Sequence, residues 1–293
     1  MAYEIPDHFS ESFTTNVELL LQRQGGALVP YVSMGSYTGK SAQVVKQFGT
    51  VEFQTKTTRS GDTTWSDIEH KQRWVFPTDY NLALPIDNED ELRMLNSPLS
   101  PYTEAMRKAA ARKMDDIIID AFDGTSKTGT NGGTSTTFDS GMEVAVTAGA
   151  AGATGLNVAK LRAARKLLLE NHVDLKAEMP IIAVTAQQMD DLLGETEVTS
   201  ADFASVKALV SGEVDTFMGF RFIHTEGLDA DGSSYRKVPF WVPSGMHMGM
   251  WNGLETKIDE RADKEYTVQV FMRMTLGACR TQEGKVGRIL CSE

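Results

Sequence analysis

Gly35-Ser36-Tyr37-Thr38-Gly39-Lys40-Ser41 is the nearest thing in the sequence to a reactive motif. A phosphate-cradling loop needs GxxxxGK followed by Ser or Thr, so that successive backbone N–H groups wrap the phosphates. Met34 stands where the first glycine belongs, and Gly35 comes one residue too late. Ile117-Ile118-Ile119-Asp120 offers an aspartate after an apolar run, as a magnesium-binding partner would. That run lies in a helical pattern, where a nucleotide fold places a strand. A nucleotide-binding enzyme using the Gly35–Ser41 loop is one alternative function.

Other chemistries find less. His8, His70, His172, His224 and His247 share no ligand spacing, and zinc sites need clustered His, Cys or carboxylate ligands. Met246, Met248 and Met250 flank His247 as soft ligands might be spaced, but on a strand they simply share one face, where sulfur packs well. The acidic clusters Asp87, Glu89, Asp90, Glu91 and Asp115, Asp116, Asp120, Asp123 do not match a calcium loop. The first suits a helix start, where the macrodipole favours carboxylates. The second reads as the solvated flank of a helix. There is no GxSxG elbow, and neither Cys279 nor Cys291 sits in a nucleophile motif. Lys160, Arg162, Arg165 and Lys166 form a basic helix face, read as solvated; it is the one candidate nucleic-acid patch and has no interleaved aromatics. The expectation is therefore no catalytic residue, no cofactor and no metal.

The elements that would position any site come next. The 293 residues suffice for one large core or two interleaved ones, and 41% hydrophobic content is that of a globular chain. A formal net charge of −11 disfavours tight binding to a duplex. It does not disfavour a container whose wall DNA must slide along. Two cysteines make no disulfide framework, the first residues lack a basic start with an apolar run, and no stretch approaches a membrane span. A cytoplasmic origin and no membrane partner are expected.

Residues 1–35 read as an arm with a short helix over 17–24. Residues 44–76 read as a long hairpin: Val51, Phe53 and Thr55 alternate with polar residues, Arg59 to Asp62 forms the turn, and the return runs through Ile68, Trp74, Val75 and Phe76. An isolated two-stranded hairpin is marginal in water, so this one must lie on something else. Ser100 and Pro101 suit the N-cap and first position of a long helix to Phe122, with Met106, Ala110, Met114 and Ile118 on its apolar face. A second helix spans Asn157 to about Asn171, with Val158, Leu161, Ala164 and Leu168 inward. Pro180 to Phe222 reads as a buried strand, a short helix, an acidic loop, a second helix and a returning aromatic strand. Leu254 to Leu290 alternates as β structure, with Tyr266, Val268, Val270, Met272 and Met274 on one face and a turn at Gln282-Glu283-Gly284.

This order of elements resembles the Hong Kong phage type of capsid fold, that of the major capsid proteins of tailed bacteriophages. The wording is most specific from Asp190 through Glu195, Glu197 and Asp202, from Val206 to Phe220, and in Ala110-Ala111-Arg112-Lys113-Met114-Asp115-Asp116. The resemblance implies an α+β fold in five parts. These are an N-terminal arm (1–43), an extended hairpin loop and return (44–99), a peripheral domain with a long spine helix (100–171), an axial α/β domain (172–253) and peripheral return strands (254–293). It also implies assembly into pentamers and hexamers of an icosahedral shell around double-stranded DNA. Val51, Phe53, Trp74 and Phe76 on the hairpin, with Glu195, Glu197 and Asp202 in an axial loop, become candidate contacts between subunits. The expected partners are the chain itself, a separate scaffold, portal and decoration proteins, and DNA through weak non-specific contact. The location implied is the virion capsid, assembled in the host cytoplasm. A bacterial nanocompartment shell of the same fold is the second alternative.

Overall fold

A computed structural model of the chain describes residues 25–55, 59, 65–86, 99–194 and 216–293. Among the described residues three sheets and three α-helices carry the fold. Strands β1 (Ser33–Ser36), β12 (Met246–Arg261), β13 (Thr267–Arg280) and β4 (Thr78–Ile86) form one sheet in the order β1-β12-β13-β4. A six-stranded sheet runs β7-β14-β11-β8-β10-β9, from Glu143–Val144, Val286–Cys291, Arg236–Trp241, Ile181–Val184, Phe220–His224 and Thr216–Phe217. The third sheet is β2-β3-β5-β6, from Ala42–Phe48, His70–Val75, Ser126–Thr128 and Thr134–Thr136.

Helix α1 (Leu99–Asp123) has 25 residues and is about 37 Å long at the α-helical rise. It starts at Leu99, so Pro101 lies in its first turn, where a missing N–H costs nothing. Met106 and Ile118 on its apolar face are 1% and 0% exposed, and the helix lies along β13. There Val270, Met272, Met274 and Leu276 point inward from every second position. The acidic flank of α1 is not uniformly solvated, contrary to the sequence expectation. Asp115 is buried because its carboxylate accepts hydrogen bonds from Ala27 N (3.2 Å) and Leu28 N (3.1 Å), where the chain crosses the helix. Asp123 is bound by Lys237 (2.7 Å) and Arg288 (3.0 Å) of the six-stranded sheet.

The C-terminal carbonyls of α1 meet a buried cation. Arg280, 0% exposed, donates from Nη1 to Phe122 O (2.8 Å) and Ala121 O (3.1 Å), and from Nε to Glu283 (2.7 Å). A guanidinium placed there satisfies carbonyls that the helix leaves open and opposes its dipole.

Helix α2 (Val158–Glu170) begins where the Asn157 side chain caps Lys160 N (2.8 Å) and ends at Asn171. Val158, Leu161, Ala164 and Leu168 are buried as expected, against β7 and β14. Lys160, expected to face out, is 0% exposed. Its ammonium donates to Thr154 O (2.7 Å), Gly155 O (2.9 Å) and Leu290 O (2.8 Å), which together replace its hydration shell. Helix α3 (Ala186–Gly194) opens on half of a capping box: Gln188 Oε1 accepts from Thr185 N (2.8 Å) and from the Thr185 hydroxyl. The acidic loop and second helix expected after it fall in 195–215, outside the described residues, as does the expected helix at 17–24.

β12 and β13 form one long hairpin that turns at 262–266, not at Gln282–Gly284. Tyr266 N and Lys264 N both return to Arg261 O, and Glu265 and Tyr266 take positive φ of 52° and 59°. Tyr266 is therefore a turn residue, 63% exposed, and not part of the buried strand face. Residues 282–285 carry the chain from one sheet to the next instead: β14 pairs with β11 and β7. Residue 253 falls inside strand β12, where the register against β13 shifts between Met250 and Glu255, and β14 lies in the sheet with β8, β10 and β11. The strand β4, which pairs with β13 along nine residues, had no counterpart in the sequence reading.

Candidate functional site

The residues with chemical potential are spread over the fold. Gly35–Ser41 leaves strand β1 and enters strand β2, whereas a phosphate loop must open a helix. Ile117 to Asp120 lies within α1. Among the described residues no group of three His, Cys, Asp or Glu could hold a metal ion. Met246 and Met248 are core residues. His247, on the opposite face of β12, bonds Ser33 Oγ (2.8 Å) and Tyr37 Oη (2.9 Å). With Lys160 buried, the basic patch of α2 shrinks to Arg162, Arg165 and Lys166, and Arg165 is bonded to Met218 O. Cys279 and Cys291 are free and buried, and burial pushes both thiols up to about 12. They are poor nucleophiles, since the thiolate is the reactive species.

The hairpin is the feature with unspent surface. β2 and β3 pair from Ala42–Val75 to Phe48–His70, and Gly49 N still bonds Glu69 O (2.7 Å). Beyond that point, among the described residues, 51–55 and 65–69 form no strand, so the alternation of Val51 and Phe53 does not become a ladder. Two strands without a sheet or core to cover them cannot hold one in water. Phe48, Val51, Phe53 and Trp65 are 65%, 52%, 108% and 95% exposed.

The root is different. β3 pairs with β5, and Ala42, Val75 and Cys279 form a small core with Tyr37, Val44 and Trp251. Trp74 donates Nε1–H to Gly129 O (2.8 Å), and the Phe76 ring lies against Gly132, where a Cβ would come within 2.8 Å of it. Of the four hairpin candidates, Val51 and Phe53 are thus open surface, Trp74 is engaged within the chain, and Phe76 packs one side of its ring on Gly132 while remaining 38% exposed. Glu195, Glu197 and Asp202 lie outside the described residues. The sequence reading passed over Phe48 and Trp65, although both are large apolar residues on the same hairpin.

An apolar cleft of about 260 Å³ opens between α1 and the β4–β13 sheet. Met106, Met272 and Met274 line it, with Leu82 and Leu254, and Lys113 stands at its rim with Nζ 5.1 Å from the Tyr80 ring centre.

A long helix laid along a twisted hairpin, a compact six-stranded α/β unit and an outlying hairpin together make the capsid fold of tailed phages. The chain belongs to the phage capsid protein family, whose model matches residues 5–293. It is a structural protein of the virion capsid, not an enzyme. No curated protein matches the sequence. Solved structures do match. The capsid of cyanophage P-SCSP1u aligns over 100% of this chain and 96% of its own, at TM-score 0.75 and 16% identity. The capsid of cyanophage Pam1 aligns over 99% and 98%, at TM-score 0.74 and 11% identity. A chain of Mycobacterium phage Che8 aligns over 98% of each, at TM-score 0.73 and 14% identity.

Proposed function

We propose that this chain forms pentamers and hexamers of an icosahedral shell around double-stranded DNA, and that its hairpin joins neighbouring subunits. One observation carries the proposal: Phe48 at the end of the β2–β3 ladder, and Val51, Phe53 and Trp65 beyond it, are exposed to water. Contiguous exposed apolar groups of this kind mark interaction sites. A ring contact between identical subunits is heterologous, so the patch needs a different receiving surface on the next copy. The Met-lined cleft beside α1 suits it. Thioethers adapt to aromatic rings, and Lys113 already sits over one ring at the rim. Asp67, two residues after Trp65, supplies the opposite charge to Lys113.

The peripheral unit in this reading is α1 with the β1-β12-β13-β4 sheet. The axial unit is the six-stranded sheet with α2 and α3, so 158–170 and 286–291 move to it from the peripheral unit. The net charge of −11 suits weak, non-specific contact with packaged DNA. A scaffold, a portal and decoration proteins remain the expected partners in the host cytoplasm. The three solved structures described above come from phages, which favours a virion over a nanocompartment.

The test replaces 50–68 with a short Gly/Ser linker and leaves the β2–β3 root intact. The expected product is a soluble subunit with wild-type circular dichroism that forms no closed shells in sedimentation or electron microscopy. Normal shells from the deleted chain overturn the hairpin's role. For the cleft, Ser66→Cys with Ala109→Cys should give a ladder of covalent multimers on oxidation of assembled particles, against a silent background of buried native thiols. Shells that give no ladder rule the cleft out and leave the hairpin in place.

A further inference from the structure

Among the described residues β1 is a four-residue edge strand whose one sheet partner is β12, in parallel register from Ser33–His247 to Ser36–Met250. It links the stretch anchored on Asp115 to the hairpin. Its side-chain bonds converge on one imidazole. Ser33 Oγ donates to Met246 O (2.7 Å), so it must accept from His247 Nδ1–H (2.8 Å). That tautomer leaves Nε2 to accept from the Tyr37 hydroxyl (2.9 Å). In the neutral ring, which burial favours, every proton then has one place. The Tyr37 ring then packs on Trp251, with ring centres 5.5 Å apart, in the small core at the hairpin root. Gly249 makes room: a Cβ there would come within 3.1 Å of Tyr37 and 2.9 Å of Trp251.

We propose that Ser33, Tyr37 and His247 form a proton-operated latch, which fixes β1 and the hairpin root to the subunit body at neutral pH and releases them in acid. Adding a proton to Nε2 removes the lone pair that the Tyr37 hydroxyl bonds, so that hydroxyl must turn its own proton away, and a charge is placed in a buried site whose ring partners are hydroxyls. The neighbouring groups do not help. Cys279, opposite on β13, is a neutral thiol, and Arg280 and Arg73 nearby are cations. Glu283, the carboxylate among them, is taken by Arg280 (2.7 Å) and Arg73 (3.0 Å). The two hydrogen-bond partners of the ring among the described residues are both hydroxyls. Burial holds the His247 pKa below the usual histidine range, so the charged form is resisted until the latch opens. The sign follows from linkage. A base whose folded pKa is depressed stabilises the closed form above its free value, about 6.5, and that stability is lost as pH falls toward the folded value. The consequence for shells rests on the hairpin reading; the latch itself does not.

The test is amide exchange at 33–37 in the unassembled full-length chain between pH 7.5 and 5, corrected for intrinsic chemistry and referenced to β11 and β14. Wild type should lose protection by about ten-fold or more as pH falls, and His247→Gln, which bonds but does not titrate, should show a flat ratio. Should His247→Gln fail to fold, proton NMR of the wild-type imidazole decides. Titration well below the free value, accompanied by loss of β1 protection, supports the latch. A flat wild-type exchange ratio, the same acid loss in His247→Gln, or a ring that titrates without any change at β1 overturns it. Hairpin deletion that leaves shells intact would remove the consequence for assembly and leave these outcomes unchanged.

Discussion

Lys160 Nζ lies 2.8 Å from the carbonyl oxygen of Leu290, and so fixes the last strand to the first turn of α2. The ammonium also serves Thr154 O and Gly155 O, so one buried cation closes three carbonyls. Lys160→Met keeps the apolar stem and removes every donor. It should destabilise the subunit by about 2–4 kcal/mol, the cost of orphaned buried acceptors less the relief of an unhydrated charge. A lowered urea midpoint at unchanged slope checks this; an unchanged midpoint would show that the carbonyls find other donors.

Asp115 plays the complementary part on α1, accepting from Ala27 N and Leu28 N and so fixing Leu28 in the main core. Asp115→Ala should cost about 2–3 kcal/mol, since hydrogen bonds to an ionised group are worth more than neutral ones. Proteolysis after residue 25 should rise in the variant. Equal resistance to protease would mean that Leu28 burial alone holds the crossing.

These two residues mark where sequence legibility ends. The α2 helix was readable because Asn157, Asn171 and the inward Val158, Leu161, Ala164 and Leu168 are local signals. Lys160 was not, because its acceptor Leu290 is 130 residues away and lysine is rarely buried. The same holds for Asp115. The alternation of β12 and β13 was visible, but their turn was missed, since Ala262-Asp263-Lys264-Glu265 has no Gly or Pro and two non-glycine residues carry the positive φ. β4 was missed because Pro85 interrupts it, and only its place at a sheet edge makes that proline tolerable. Among the candidate contacts, residue type could mark Val51, Phe53, Trp74 and Phe76 as apolar, but only the fold separates the open Val51 and Phe53 from the engaged Trp74.

Glu293 accepts from Gln188 (2.7 Å) and from Arg236 Nε (2.9 Å), which ties the end of the described chain to α3 and β11. The Arg236 hydrogen bond holds its carboxyl below the usual value. A carboxylate with a depressed folded pKa adds stability that is present above its free value and is lost as pH falls through the folded one. Glu293→Gln should therefore flatten part of the acid dependence of unfolding below about pH 4.5, with little change at pH 7 in its slope. An identical acid profile in the variant would refute the contribution.

The two thiols should be silent until the fold opens. With both pushed up to about 12 and buried, neither forms thiolate at pH 8. A thiol reagent should modify neither in the native subunit and both after denaturation without reductant. Rapid modification of either in the native state would place it in a region that opens locally.

The hairpin aromatics should divide into two phenotypes. Phe53 and Trp65 stand in water, so Phe53→Ser and Trp65→Ser remove no contact within the subunit and should change its stability by no more than about 0.5 kcal/mol. If they seat on a neighbour, the same changes should sharply reduce shell yield, because large buried aromatics dominate contact energy. Trp74 should behave in the reverse order. Trp74→Ala removes the hydrogen bond to Gly129 O and part of the root packing, so unfolding should move to lower urea before any assembly step is tested. Parallel measurement of the unfolding midpoint and of shell yield separates the cases. A Trp65→Ser subunit that is less stable would mean that the hairpin folds back on its own chain. One that is equally stable and assembles normally would mean that Trp65 faces solvent in the shell, and the receiving surface must then be sought for Phe48, Val51 and Phe53 alone.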